Sequence, residues 1–153
     1  LTELVSWTEN PATRHFSGTG RYETSFTLRR EYLASGLALH LDLGQVGNVA
    51  EVELNDSKVG TCWMRGQLLE ITKAARPGRN RLVIFVTNTL INRASGLTEP
   101  VPIPENLVAH YGRGTTPYSA SFRGPVGFTP LPASGLLGPV RIVATKRVEI
   151  PIR

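Results

Sequence analysis

The sequence predicts an all-β protein, an antiparallel jelly-roll β-sandwich, and three observations lead to that prediction. Several segments alternate apolar and polar residues with a period of two, the pattern of a strand with one buried face. Gly and Pro are abundant, at fifteen and eleven of 153 residues, and favour turns and long loops over helices. Hydrophobic residues make up 41% and charged residues 19% of the chain, a composition typical of one globular domain with a single core.

Four strands are predicted in the first half of the chain. In the second of them every other residue is leucine from Leu37 to Leu43, so one face is expected to lie in the core. In the third, apolar residues alternate with glutamate, and the apolar ones are expected to face inward. Asn55 and Asp56 then form a turn, because both residue types tolerate positive φ. The predicted strands cover residues 22–28, 37–43, 50–55 and 58–63.

Two further strands precede the least regular part of the sequence. Residues 67–72 are expected to form a short strand, and residues 73–76 at most one helical turn, because Pro77 stops a helix. Residues 81–87 are apolar at both odd and even positions. A central strand covered on both faces shows this pattern, so we expect the best protected strand of the sandwich there.

Residues 89–132 form a long irregular segment rich in Gly and Pro. It is too long for an ordinary connection, which favours a loop that is functional or docked on a partner. A run at 136–143 and a last strand follow, for a total of about eight to ten strands.

The segments from Leu41 to Val46 and from Ala50 to Gly60, followed by Trp63 and later by Ile-Thr, resemble a known family. They are similar to the run LDLG-x-V … A-E-V-x-L-N-G-x-x-V-G-x-x-W … I-T of galactose-binding-like jelly-roll domains attached to large glycoside hydrolases. Those are the sugar-binding domains of the β-galactosidase and β-glucuronidase family and the C-terminal domains of α-L-rhamnosidase-like enzymes.

Two other runs resemble the rhamnosidase-type domains. Residues 136–142 are similar to their GLLGPV-x-I run, and Asn88, Asn92 and Arg93 match their V-x-N-x-x-x-N-R run. The resemblance implies that residues 1–153 are one β-sandwich domain and a fragment of a larger multidomain enzyme. It also implies that the catalytic carboxylates of the parent lie in a separate barrel domain, that the parent is secreted or periplasmic, and that the isolated domain is a monomer.

The resemblance implies a non-catalytic domain that braces the catalytic domain of the parent or holds carbohydrate, a plant or microbial polysaccharide, near it. A free-standing carbohydrate-binding module and a purely structural or protein-interaction domain are the alternatives. Sugar binding needs flat aromatic faces together with amide or guanidinium groups that fork onto hydroxyls. The candidate ligand residues are Asn92 and Arg93 near the start of the long segment, Tyr111, Arg113, Tyr118, Phe122 and Arg123 further along it, and Trp63 before it.

Some of these residues also have a structural interpretation. Trp63 is at least as readily explained by packing under the next loop as by ligand contact. Asn88, Asn92 and Arg93 are favoured as groups that pair with loop carbonyls, which are costly to leave unpaired. Trp7 is expected to be a buried anchor for the N-terminal segment.

Catalysis and metal binding have weak signals in this sequence. Glu51 and Glu53 share a strand face at a spacing that two glycosidase carboxylates could use, but a solvated surface pair is favoured. The three histidines lack zinc-site spacing, and the lone Cys62 excludes a cysteine-based cluster. No cofactor is expected; structural calcium stays open, because backbone carbonyls could supply ligands that two aspartates alone cannot.

The net charge of +5 and the sequence pI of about 9.9 raise the question of an anionic partner. The basic residues are scattered along the sequence and do not interleave with aromatics as in RNA-binding strands. We therefore expect scattered surface charge and no nucleic-acid partner, with acidic polysaccharide left open. No run of eighteen apolar residues is present, so no membrane partner is expected.

Overall fold

The computed structural model describes residues 3–34, 36–97, 104–106, 109, 131–146, 148 and 150–151. Most of the secondary structure in these residues is β-strand, with one turn of 3-10 helix, Arg30–Leu33, and a short helix, α1, Ile91–Ser95; Glu105, Asn106 and Ala109 are also helical. The strands are β1 Thr19–Leu28, β2 Leu37–Asp42, β3 Gln45–Gly47, β4 Val49–Leu54, β5 Ser57–Cys62, β6 Leu68–Glu70, β7 Gly78–Thr87, β8 Gly135–Gly138 and β9 Arg141–Lys146.

The strands pair antiparallel in three sheets. A four-stranded sheet has the order β1-β7-β4-β5, a three-stranded sheet the order β6-β2-β9, and β3 pairs with β8. The predicted all-β antiparallel sandwich is therefore confirmed. Strand β7 lies between β1 and β4, so the prediction of a central strand at residues 81–87 is also confirmed.

The core lies between the four-stranded and three-stranded sheets and follows the period-two pattern. Successive side chains of a strand point to opposite faces, so alternate residues reach the interior. Burial of each large aliphatic side chain contributes about 1.5–3 kcal/mol. The buried aliphatic residues include Leu39 and Leu41 on β2, Leu43 just after it, Ala50, Val52 and Leu54 on β4, Ile71 after β6, Leu82, Ile84 and Val86 on β7, and Leu136 on β8.

The register of the four-stranded sheet defines two ends of the sandwich. Thr19, Thr87 and Val49 lie in one row, where β1 and β4 begin and β7 ends; we call this the Thr87 end. Leu28 pairs with Gly78 in the opposite row, where β1 ends and β7 begins; we call this the Gly78 end. Loops that leave the Thr87 end are thus about ten residues of strand away from those at the Gly78 end.

The two sequence runs that contain LDLG and GLLG meet in space. The Asp42 carboxylate accepts the N–H of Gly44 at 2.8 Å, and Gly44 has a φ of 63° and forms a bridge to Gly138. A Cβ on Gly44 would lie 2.4 Å from the Gly138 carbonyl group. Glycine at position 44 is therefore required by both backbone conformation and space.

The structure differs from the sequence prediction at several boundaries. The run at 136–143 is two strands in different sheets, because β8 pairs with β3 and β9 pairs with β2. Helix α1 lies inside the segment predicted to be irregular throughout, and β3 lies in a predicted loop. Both are too short to show a periodic pattern, so the sequence could not reveal them.

None of the helices in the described part of the chain has the length and apolar character of a membrane span.

Candidate functional site

Five of the eight candidate ligand residues, Tyr111, Arg113, Tyr118, Phe122 and Arg123, lie outside the described residues. The two ends of the long segment that contains them are described, and both lie at the Thr87 end of the sandwich. The segment leaves the body after β7 and returns at residues 131–134, just before β8. The role of these five residues in binding stays a prediction.

Asn88 joins the departure and return points of this segment. Its side-chain oxygen accepts the Gly18 N–H at 2.9 Å. Its amide nitrogen donates to the Phe16 carbonyl at 2.8 Å and to Ser134 Oγ at 2.9 Å. A buried amide with these bonds has little capacity left for a sugar hydroxyl. Asn88 thus closes the loop base and holds the start of β1 against it.

Asn92 and Arg93, on α1, differ in their availability to a ligand. Asn92 is buried; its backbone carbonyl lies 3.1 Å from His15 Nδ1, and its side chain donates to the Arg14 carbonyl at 3.5 Å. Arg93 is exposed and is tied to the body through its backbone N–H, which donates to Ser17 Oγ at 2.9 Å. Of the two, only the Arg93 side chain is open to solvent.

Trp7 anchors the N-terminal segment at the same end. Its backbone N–H donates to the Ser134 carbonyl at 2.9 Å, and its indole Nε1 donates to the Tyr22 hydroxyl at 2.7 Å. The ring lies edge-on to Phe16, with centroids 5.3 Å apart. Trp7 is half-buried and also lines a cleft of about 360 Å³ beside β1. Both N–H groups of Trp7 are bonded within the chain, and these contacts fit the predicted role of Trp7 as an anchor for the N-terminal segment.

Trp63 has the opposite environment. Its side chain is 65% exposed, so the alternative that it packs under the next loop is wrong. The loop at residues 63–67, which we call the Trp63 loop, is held from within by Gln67. The Gln67 side chain accepts the Trp63 N–H at 3.1 Å and donates to the Thr61 carbonyl at 2.9 Å. The tryptophan is thus presented outward on an ordered turn.

Gln67 is a functional residue that the sequence reasoning missed. A single glutamine beside a glycine has no pattern that distinguishes a residue that organises a loop from an ordinary surface residue, so no sequence signal could have identified it. Gly66, with a φ of 75°, makes the same turn possible because glycine adopts this conformation without a steric cost.

Large apolar side chains are concentrated on the connection from β5 to β6. Trp63, Met64 and Leu68 are 65%, 53% and 44% exposed, and exposed Arg65 lies between the last two. Scattered single apolar residues are normal on a surface, but a group of this kind indicates a binding surface. A flat indole next to a guanidinium is suited to stacking on a sugar ring and bonding its hydroxyls, or to contact with another protein surface.

The carboxylate pair considered in the sequence, Glu51 and Glu53, lies on β4 on the outer face of the four-stranded sheet, and Glu23 lies on β1 of the same sheet. Exposed Glu51 pairs with Lys58, whose ammonium is 3.4 Å away, while Glu53 lies beside Val83 in the register. The guanidinium groups of Arg81 and Arg21 hold the pKa of the Glu23 carboxyl at about 2, so it is ionised at neutral pH. A general acid needs a raised pKa, and Glu23 has a lowered one.

No group of three or more His, Cys, Asp or Glu side chains within residues 3–34, 36–97 and the other described positions could hold a metal ion. Calcium bound by backbone carbonyls stays a prediction.

Comparison with known proteins identifies glycoside hydrolases as relatives. A rhamnosidase from Novosphingobium sp. PP1Y has a similar structure, with a TM-score of 0.66 and 34% identity over 89% of this chain and 12% of its own. A protein of Formosa agariphila that carries the name of a beta-glucuronidase is 41% identical over 103 residues, 66% of this chain and 9% of its own length. The chain thus spans only about a tenth of these two relatives.

A beta-glucuronidase from Ruminococcus gnavus aligns with 55% of this chain and 15% of its own, at 23% identity and a TM-score of 0.48. No protein-family model matches the sequence. The relatives are glycoside hydrolases, and this chain corresponds to a small part of each.

Proposed function

We propose that this chain is a non-catalytic accessory domain of a larger glycoside hydrolase and that it holds carbohydrate through the Trp63 loop. The exposed indole of Trp63 is the observation that carries the proposal. A protein loses free energy by leaving a large aromatic ring in water. An ordered turn that keeps such a ring outward is best explained by something that covers it.

The place of the chain within a larger enzyme is supported by the comparisons. It aligns over 89% of its length with part of a rhamnosidase that is several times longer, as an appended domain would. The glycoside hydrolase activity of the parent is part of this proposal, because one fold hosts many functions and does not fix the activity.

The non-catalytic role is supported by the surroundings of the acidic residues. Glycoside hydrolysis uses two carboxyl groups about 5–9.5 Å apart on either side of a bound sugar. Among the described residues, Glu51 is paired with Lys58 and Glu23 with two arginines, on the outer face of a sheet. We expect no turnover of aryl glycosides by the isolated chain. Turnover that is lost in Glu51→Gln or Glu53→Gln, with the fold intact, would contradict this part of the proposal.

Calorimetric titration tests the sugar-binding part. Rhamnosides, galactosides and their oligosaccharides are titrated into wild type and Trp63→Ala. Loss of a stacking ring should cost about 1–3 kcal/mol, or roughly fivefold to 150-fold in affinity. Tyr32→Ala is the matched control, because Tyr32 is also exposed but lies in the 3-10 helix after β1, outside the Trp63 loop. Equal binding by wild type and Trp63→Ala would place the sugar site elsewhere.

A second candidate function, bracing of the parent enzyme, is favoured by Met64 and Leu68. These two apolar side chains are 53% and 44% exposed within five residues of Trp63, and exposed apolar side chains close together are typical of a domain interface. If no glycan binds the wild type, Trp63→Ala should lower the thermal midpoint of the protein produced with its flanking segments. Tyr32→Ala should leave that midpoint unchanged. A drop with both variants would contradict bracing through this surface.

A further inference from the structure

Three arginines at the Gly78 end surround one surface depression. The sequence suggested that basic residues were scattered, but the fold gathers Arg76, Arg79 and Arg81. They line a cleft of about 350 Å³ together with Glu23, Thr24 and Ser25. The prediction that basic residues are scattered is wrong at this end, because the turn before β7 brings residues 76 and 79 back beside β1. The spacing Arg-Pro-Gly-Arg-Asn-Arg was the available signal, because a tight turn places its two ends side by side.

The charge of this cluster, which we call the arginine cleft, is only partly balanced. The charge of Arg81 is balanced, because its guanidinium pairs with both Glu23 and Asp56. Within the described residues, Arg76 and Arg79 have no carboxylate within 4 Å. The two guanidinium groups left over carry the positive potential of the cleft, and each presents donors in a planar fork that matches a carboxylate or a sulfate.

Secondary bonds orient these two arginines without using up their donors. Arg79 Nε donates to Ser25 Oγ at 3.3 Å, and Arg76 Nε donates to the Arg79 carbonyl at 3.2 Å. These bonds involve the Nε atoms, whereas bidentate recognition can use the terminal nitrogens of each fork. The cleft is therefore partly organised for an oxyanion.

A buried asparagine holds the turn that carries the arginines. Asn80 is 0% exposed. Its side-chain oxygen accepts the Arg76 N–H at 2.9 Å, and its amide nitrogen donates to the carbonyls of Arg76 and Gly78 at 2.7 and 2.9 Å. Asn55, on the next turn, donates to the same Asn80 oxygen at 2.8 Å. A buried network with this many bonds specifies one loop conformation. Surface arginines on a loosely held loop would lack this organisation.

We propose that the arginine cleft is a second binding site, distinct from the Trp63 loop, for the carboxylate or sulfate groups of an anionic polysaccharide. Positive charge recognises the oxyanions, and the Ser25 hydroxyl can bond neighbouring sugar hydroxyls. None of the described residues that line the cleft is aromatic. Sites for single-stranded nucleic acid depend on aromatic side chains that stack on the bases, so a glycan is the better match. The polymer class, a glycan, rests on the proposed function; the recognition of an oxyanion rests on the cleft alone.

Affinity electrophoresis of the 153-residue chain tests the proposal. The gels contain polygalacturonate as the carboxylate probe, dextran sulfate as the sulfate probe, unsubstituted dextran, or single-stranded DNA. We expect one or both anionic glycans to retard the wild type and neutral dextran to have no effect. The effective probe then identifies the oxyanion. Binding should weaken as salt is raised, because the contacts are between charges.

The double variant Arg76→Gln/Arg79→Gln should bind the effective probe at least about tenfold more weakly. The control Arg14→Gln/Arg141→Gln removes the same charge from two exposed arginines outside the cleft and should stay within about twofold of wild type. Because all four side chains are exposed, the variants should keep the wild-type urea midpoint. An equal loss in the control would show that net charge alone drives retention and would overturn the proposal.

Two further outcomes would also overturn it. One is the absence of retardation by either anionic glycan, and the other is DNA binding that equals glycan binding and is lost in the double variant. Trp63→Ala separates this site from the proposed function, because it should not change retardation by anionic glycans. If Trp63→Ala abolished it, the anion site would lie at the Thr87 end and the arginine cleft would be excluded.

Discussion

The two ends of the sandwich use the same kind of residue for different purposes. At the Thr87 end, buried Asn88 ties together segments that are distant in sequence, with Phe16 and Gly18 on one side and Ser134 on the other. At the Gly78 end, buried Asn80 bonds mainly within its own turn. The first amide closes a long-range junction, and the second shapes a local loop.

This difference determines which residues at each end can be substituted while the fold is kept. A long-range junction holds several elements together, so its loss should destabilise all of them. A local turn with a satisfied network can carry variable side chains on its exposed positions, because its conformation depends on the buried asparagine and not on them. Binding groups are therefore more easily placed on the Gly78 turn and on the Trp63 loop than at the junction itself.

The largest expected effect is a contrast between two glycines with positive φ. Gly135, at the Thr87 end, has a φ of 94°, and a Cβ there would lie 2.6 Å from the Trp7 indole. Gly78 has a φ of 85°, but a Cβ there would meet nothing within 4 Å. Gly135→Ala should cost about 3 kcal/mol or more in the free energy of unfolding, and Gly78→Ala about 1 kcal/mol. Urea denaturation measures both; equal losses would contradict the contrast.

Next is the loss of the buried amides. Asn80→Ala should lower the free energy of unfolding by about 2–4 kcal/mol, because it leaves a buried N–H and two carbonyls without a partner. Asn88→Ala should cost about 1–3 kcal/mol and should also speed hydrogen exchange at the Gly18 amide. Asn10→Ala is the matched control; Asn10 is exposed, and among the described residues its side chain bonds only the Ala12 N–H, so about 0.5 kcal/mol or less is expected. A control as destabilised as Asn80→Ala would invalidate the comparison.

The two tryptophans supply a smaller and sharper test. Trp63→Ala should change the free energy of unfolding by less than about 0.5 kcal/mol, because the exposed ring adds little to the fold. Trp7→Ala should cost about 2–3 kcal/mol, since a half-buried ring and its bond to Tyr22 are both lost. A cost for Trp63→Ala that approaches the cost for Trp7→Ala would mean that the Trp63 ring is part of the core and not of a binding surface.

The smallest expected effect concerns pH. Folding lowers the pKa of Glu23 from 4.5 to about 2 through its bonds to Arg81 and Arg21. A lowered pKa stabilises the folded state when the group is ionised, so the contribution is complete above about pH 4.5 and is lost as pH falls toward 2. The stability difference between wild type and Glu23→Gln should shrink over this window, and it should be small and sensitive to salt, because the pair is exposed. If this stability difference grew as pH fell, folding would raise the pKa of Glu23 and not lower it.

Alternation along the chain was enough to predict most of the sandwich. Strands β2 and β4 bury alternate aliphatic residues because a strand has a period of two, and that period is visible without a structure. The apolar run of β7 predicted its central position instead. The turn at Asn55 and Asp56 also followed from residue type alone, and both residues adopt positive φ. The short pieces β3 and α1 contain too few residues for a pattern, so they became evident only from pairing and packing.

The candidate sites depended on tertiary structure more than the fold did. The sequence by itself identified Trp63 as a residue of interest, but its exposure is decided by how Gln67 folds the loop. It also contained the arginine spacing at residues 76, 79 and 81, whose meaning depends on Asn80 and on the position of β1 beside the turn. Hydrophobic periodicity is a local property that repeats along a strand, whereas a binding surface is a single juxtaposition of side chains from separate segments, and only the folded chain creates it.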